Sequence, residues 1–259
     1  MSDKEKIAIE LIIMAIGKYL IKKKFNEYVK NKNIIIKNNN HDGSDGHWLE
    51  KNMGLKINNK NEPDIYGYEM KNHTKSGKIT FIDKTPSKIF LEGLEIKKNN
   101  KKKEIFWKMF KRTDSSGLKI GGWKVDIFDK DGQTMWIDNY NNICILYNFT
   151  EDKRDNKNIL VSEFYKNNKN HIIIIWESND LKVGINNKWN QRGFFICKKN
   201  EKNEYSKILF GKPISFNEWI IEVKNKNIYY DGYSSYGGRW RGVFRASNKW
   251  FERYITEEY

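Results

Sequence analysis

From residue 121 onward the chain keeps breaking into short runs rich in β-branched and aromatic residues. Few folds accommodate that pattern. Such runs cover 121–129, 133–138, 142–147, 171–177, 192–197, 205–210, 218–224, 227–231 and 242–246, and Asp131-Gly132 forms a turn between the first two. Each run has strand length and is set off by polar or turn-forming residues, so a β-rich region is expected here. The N-terminus reads differently. Residues 3–30 carry Ile7, Ile9, Leu11, Ile12, Ala15, Ile16, Leu20 and Phe25 and predict one long helix, amphipathic and seated in the core. Trp48–Met53 predicts a short helix closed by Gly54, and Asn248–Ile255 an aromatic C-terminal helix. A helix-rich first third before a strand-rich remainder predicts an α/β protein of two lobes, 1–115 and 116–259.

The chain has 259 residues, 38% hydrophobic and 14% aromatic, enough for a sizeable core. Its formal charge is +15, from 48 Lys and Arg against 33 Asp and Glu. A polyanionic partner is the simplest cause, because neutralising phosphates releases counterions. Two cysteines, Cys144 and Cys197, make neither a disulfide framework nor a metal-site spacing, and a reducing cytoplasm fits them. Residues 7–20 are too short and too interrupted by Glu10, Lys18 and Tyr19 for a membrane span or signal peptide, so no membrane association is expected. The basic run 97–103 reads as a solvated loop or helix start.

The chemistry is concentrated in 46–72, GHWLEKNMGLKINNKNEPDIYGYEMKN. Pro63-Asp64 is followed by Glu69-Met70-Lys71 in an extended segment, with a second strand at 78–83 and a turn at 75–77 between them, which predicts a strand pair. Alternation along a strand puts Glu69 and Lys71 on one face, and Asp64 arrives from the preceding bend. Two carboxylates and one ammonium suit phosphodiester hydrolysis. Hard oxygens hold Mg²⁺, the metal offsets charge on the phosphate and acidifies water, and Lys71 orients that water. Glu50, on the upstream helix, adds a further carboxylate.

The order Gly46-x-x-Leu49-Glu50-x-x-x-Gly54, Asn58-Asn59, Glu62-Pro63-Asp64, Glu69-x-Lys71 resembles the MvaI/BcnI restriction endonucleases, relatives of the nickase MutH within the PD-(D/E)XK superfamily. The departures are mild: LEKNMG stands where the family usually has LExLLG, and YEMK where it has IELK. The C-terminal Tyr230-Asp231-Gly232-Tyr233, then Gly238-Arg239-Trp240-Arg241-Gly242-x-Phe244-Arg245, is similar to that family's base-reading ending, with Tyr233 where Arg is common.

The resemblance implies an active site of Glu50, Asp64, Glu69 and Lys71, with Asp64, Glu69 and Glu50 on Mg²⁺. It implies a PD-(D/E)XK mixed sheet flanked by helices in a catalytic lobe, beside a β-rich DNA-recognition lobe. It further implies base reading by Asp231 and Arg245, since Asp accepts from cytosine N4 and Arg forks onto guanine. Tyr233, Arg239 and Arg241 are expected at the DNA, and His73, two residues past the motif, is a further contact. The implied protein is a type II restriction endonuclease, a monomeric C-shaped clamp on double-stranded DNA. It nicks the strands in sequence at a short CC-N-GG-like site, and a cognate methyltransferase protects the host. A MutH-like repair nickase and a non-catalytic DNA-binding protein are the competing readings.

Overall fold

The computed structural model describes residues 1–34, 44–55, 62–74, 77–96, 100–114, 117–234 and 240–259. In chain order the elements are α1 (Asp3–Tyr28), α2 (Ser44–Asn52), β1 (Glu69–Asn72), β2 (Lys78–Asp83), β3 (Lys88–Leu91), β4 (Leu94–Glu95), α3 (Asn100–Phe110), β5 (Arg112–Asp114), β6 (Gly117–Trp123), β7 (Asp131–Ile137), β8 (Ile143–Asp152) and α4 (Lys157–Leu160). They continue with β9 (His171–Trp176), α5 (Ser178–Trp189), β10 (Phe194–Lys199), β11 (Tyr205–Gly211), α6 (Phe216–Lys224), β12 (Ile228–Ser234), β13 (Trp240–Ser247), α7 (Asn248–Glu252) and β14 (Ile255–Glu258). The α/β class expected from the sequence is the class found.

The strands form sheets ordered β1-β10-β11-β14, β2-β13-β12-β6-β5 and β4-β3-β9-β8-β7. The chain divides into two compact units, but not at a single break near 115. One unit comprises 1–79, 185–215 and 247–259, the other 80–184 and 216–246. Two long excursions leave and rejoin the first unit, because β1 finds its parallel partner β10 more than 120 residues downstream. A parallel pair needs a crossover connection, and here the crossover carries most of the second unit.

In the first unit the β1-β10-β11-β14 sheet is covered on one face by α1 and α2. Ile21, Phe25, Leu49 and Met53 pack there against Tyr68, Met70, Phe195 and Phe210. The second unit has an aromatic core in which Tyr230 stacks on Trp123 and meets Trp176 and Phe244, while Trp219 of α6 meets Phe244 edge-on. Gly242 is required in that core. A Cβ there would lie 1.6 Å from the Tyr230 hydroxyl oxygen, so any side chain would evict the ring.

Four local expectations change. Residues 218–224 belong to helix α6, not to a strand: Phe216, Trp219, Ile220 and Val223 are its buried positions, a helical spacing that alternation cannot make. The strand pair expected at 64–83 does not form. β1 joins β10 and β2 joins the sheet of β13, while Tyr66 and Gly67 at positive φ turn the chain between Asp64 and Glu69. The C-terminal helix stops at Glu252 and the chain re-enters a sheet as β14. α1 forms as expected but is not amphipathic. Its apolar residues run round the helix, so only Gly17, Ile21 and Phe25 are buried, and Ile7, Leu11, Ile12 and Ile16 are more than half exposed. No helix among the described residues is long and apolar enough to cross a membrane.

Candidate active site

β1 positions the chemistry through its own alternation. Tyr68 and Met70 point into the α1–α2 core, so Glu69 and Lys71 must take the opposite face. Register places Glu69 beside Phe194 and Lys71 beside Ile196 of β10. The end of α5 covers this face, with Trp189 fully buried against Phe194 and Phe251. α2 is closed by Gly54 at φ +77, where the Leu55 N–H reaches the Glu50 carbonyl. Its Leu49 and Met53 anchor it beside Tyr68 and Met70, which brings Glu50 to the neighbourhood of the strand.

Glu69 is fully buried. Its Oε1 lies 2.6 Å from Lys71 Nζ and 3.1 Å from Lys188 Nζ. Lys71 Nζ also sits 5.4 Å from the centroid of the Trp189 ring, a cation–π distance. Asp64 is exposed, and its Oδ2 accepts from the Met70 N–H at 2.9 Å, which ties the turn to the strand beside Glu69. Burial pushes the Glu69 carboxyl up, and the nearby Asp64 adds to the rise. Lys71 and Lys188 pull it back without cancelling it. For Lys71 burial favours losing the proton, but Glu69, Asp64 and Glu50 outweigh it and hold the ammonium above its ordinary value. Lys71 is therefore a cation here and not a free base.

The carboxylate of Glu69 is incompletely satisfied. Its Oε2 is buried and has no hydrogen-bond partner. An anionic oxygen left so is costly unless a cation completes it. Its chemistry fits a hard divalent metal, with Asp64 as the second oxygen donor. Among the described residues no three His, Cys, Asp or Glu side chains gather at ligating distance, so Glu50 does not join Asp64 and Glu69 as a third close donor. Two carboxylates remain a sufficient protein share for Mg²⁺, which keeps several waters and takes substrate phosphate oxygens.

Lys188 was missed by sequence reasoning. It follows the motif by more than 100 residues, in a segment with no assigned element. The signal was the spacing of Leu181, Ile185 and Trp189 on one helical face, which makes 178–189 a helix and sets Lys188 beside its buried edge.

The expected DNA contacts lie elsewhere. Asp231 of β12 and Arg245 of β13 are half-buried and joined, Oδ2 to Nη1, at 3.2 Å, and Arg245 Nε has no hydrogen-bond partner. Tyr233 and Arg241 are register partners on the same two strands, described here by backbone only. Arg239 lies outside the described residues, as do Asn58, Asn59 and Gly238 of the motifs above. His73 is in the first unit, where its Nε2 meets the Asn248 amide at 3.1 Å. Burial, then Lys198, holds its ring below the ordinary imidazole value, so it is neutral at pH 7.

A curated relative, the type II restriction enzyme ScrFI of Lactococcus lactis subsp. cremoris, is 31% identical over 251 residues, covering 86% of this chain and 91% of that enzyme. A solved complex of the restriction endonuclease MvaI with its cognate DNA substrate shares the fold, with TM-score 0.61 and 12% identity over 100% of this chain and 98% of that one. The model of the LlaMI restriction endonuclease family matches residues 28–257, which begins where α1 ends. The chain belongs to the LlaMI restriction endonuclease family and is a type II restriction endonuclease.

Proposed function

We propose that this enzyme hydrolyses double-stranded DNA with Mg²⁺ held by Asp64 and Glu69, at a short pseudosymmetric site of the CC-N-GG type. The observation that carries the reading is the buried Oε2 of Glu69, without a hydrogen bond and on the same strand face as Lys71, with Asp64 tethered alongside. When bound, the metal supplies Lewis acidity toward the scissile phosphate and the attacking water. Lys71, kept protonated by the surrounding carboxylates, orients that water and donates to the oxygen on which charge develops. Lys188 is a second cation on the same carboxylate, limiting Glu69's protonation and adding positive potential where the phosphate sits. Glu50 acts as an outer carboxylate on Lys71.

Base reading is assigned to Asp231 and Arg245. Joined side by side, they offer an acceptor next to a donor fork, the complement of cytosine N4 beside guanine O6 and N7 in one C·G pair. Tyr233, Arg239, Arg241 and His73 are proposed as further DNA contacts. The enzyme acts as a monomer in the cytoplasm, nicking the two strands in turn, and a cognate methyltransferase masks the host's own sites. Digestion of a sequenced phage DNA, followed by end sequencing, tests the target. Ends that align on one CC-N-GG-type sequence are expected, and ends with no shared sequence or a different one would overturn the site assignment.

A further inference from the structure

The apolar residues of α1 fall on two sides of it. Ile21 and Phe25 face inward and are buried, and the helix is fastened there by ion pairs of Lys18 and Lys22 with Glu257 and of Glu10 with Arg192. The other side carries a second stripe. Ile9, Ile12, Ile16 and Tyr19 are 46–64% exposed, and Glu5 and Lys23, both exposed, continue their row at either end. At about 100° per residue these six side chains keep within a band about 80° wide, on the side of α1 turned away from Ile21 and Phe25. A row of large apolar side chains on the outside of a helix already docked through its other side marks an interaction surface.

The spacing of the row says what covers it. From Glu5 to Lys23 the steps are four, three, four, three and four residues, the alternation of a helix–helix seam. The series reads the same in both directions about Met14. A second α1 laid antiparallel, Met14 level with Met14, therefore sets Ile12 against Ile16, Ile9 against Tyr19 and Glu5 against Lys23, each twice across a two-fold axis. The end pairs are of opposite charge, and neither Glu5 nor Lys23 is in an ion pair among the described residues. The Oε2 of Glu5 accepts only the Ser2 N–H of the helix cap. A parallel pair would set Glu5 on Glu5 and Lys23 on Lys23, like charge on like. Binding to an unrelated protein or to a lipid surface requires no such palindrome.

We propose that two copies of this chain associate through the outer face of α1, as an antiparallel helix pair about 27 Å long between Glu5 and Lys23. No residue assigned to the Glu69 site lies on that face. One copy therefore remains the unit that binds and cuts DNA, and association is separable from catalysis.

A single helix pair is a small interface, so association is expected to be weak and is followed by sedimentation velocity of the full chain, without DNA, from about 1 to 100 μM. Wild type is compared with Ile12→Glu/Ile16→Glu, Glu5→Lys, Lys23→Glu and the double reversal Glu5→Lys/Lys23→Glu, each first shown to be folded by thermal melting. Wild type should pass from monomer to dimer as its concentration rises. Ile12→Glu/Ile16→Glu should stay monomeric, its association weakened by about a hundredfold or more by charges buried without partners. Each single reversal should weaken the dimer by roughly 3- to 10-fold, and the double reversal should restore it. An equimolar mixture of the two single variants should associate better than either alone. Wild type that stays monomeric throughout overturns the proposal. So does a dimer that persists in Ile12→Glu/Ile16→Glu, which places the interface elsewhere, or a double reversal no tighter than the single ones, which removes the antiparallel register. Monomeric wild type that binds phosphatidylcholine–phosphatidylglycerol vesicles, when Ile12→Glu/Ile16→Glu does not, would also overturn it and make the face a membrane-binding one.

Discussion

Glu69 in the first unit and Asp152 in the second are both buried acidic side chains beside cations, and their surroundings treat them in opposite ways. Asp152 is met by the Arg154 fork, by the Arg154 backbone N–H at 3.0 Å and by the Tyr147 hydroxyl at 2.8 Å. Burial pushes its carboxyl up, but those donors outweigh burial and hold it below the ordinary carboxylate range. Glu69 has its two nearest ammonium contacts on one oxygen and no hydrogen bond to the other, and its carboxyl stays raised. A closed network fastens the end of β8 to α3. The open one is the site proposed to receive a ligand charge.

The contrast can be broken most forcefully by neutralising each acid in turn. Asp152→Asn should lower unfolding stability by about 3–5 kcal/mol, because it strands a partly buried guanidinium. Glu69→Gln should change stability by no more than about 1 kcal/mol, since ionising a carboxyl whose folded pKa is raised opposes folding at neutral pH. Urea melts of both variants decide this, and equal losses would erase the distinction.

The cations come next. Lys188→Ala should slow single-turnover cleavage by roughly 10²-fold, the scale of one lost preorganised donor. DNA affinity in Ca²⁺ should hold, and Lys188→Arg should restore part of the rate. A loss of binding with an intact rate would make Lys188 a substrate contact.

A third ion pair, Asp231–Arg245, is more exposed than either network and is proposed to open toward bases. Arg245→Ala should cost cognate affinity about one to two orders of magnitude, from about 1–3 kcal/mol of base discrimination. Scrambled DNA should bind almost as before in the same competition assay.

The smallest effect is in acid. Asp152's stabilisation is present above its unfolded pKa and is lost as pH falls through the depressed folded value. The stability gap between wild type and Asp152→Asn should hold from neutral pH to about 4 and close below about 3.9. A gap independent of pH would mean that charge plays no part in it.

How legible these features were depended on how local they are. Glu69 and Lys71 could be paired from the sequence because two residues on one strand share a face, and α2 because Gly54 ends it. Lys188 and the Asp152–Arg154–Tyr147 network depend on tertiary packing that no local pattern encodes. The helix at 216–224 was obscured by its β-branched content, although Trp219, Ile220 and Val223 are spaced for a helix. The division near 115 failed because the composition changes there while the topology does not: β10, β11 and β14 return to the first unit from the strand-rich half.

The central claim is that the open face of Glu69, with Asp64 and Lys71, performs metal-dependent cleavage. Single-turnover digestion of phage DNA by wild type, Glu69→Gln and Lys71→Ala, with and without Mg²⁺, tests it most directly when DNA binding in Ca²⁺ is measured in parallel. Wild type should cut only with Mg²⁺. Both variants should cut at about a thousandth of its rate or less while binding DNA within a few-fold of it. Cleavage by Lys71→Ala or Glu69→Gln at more than a few per cent of the wild-type rate would contradict the account.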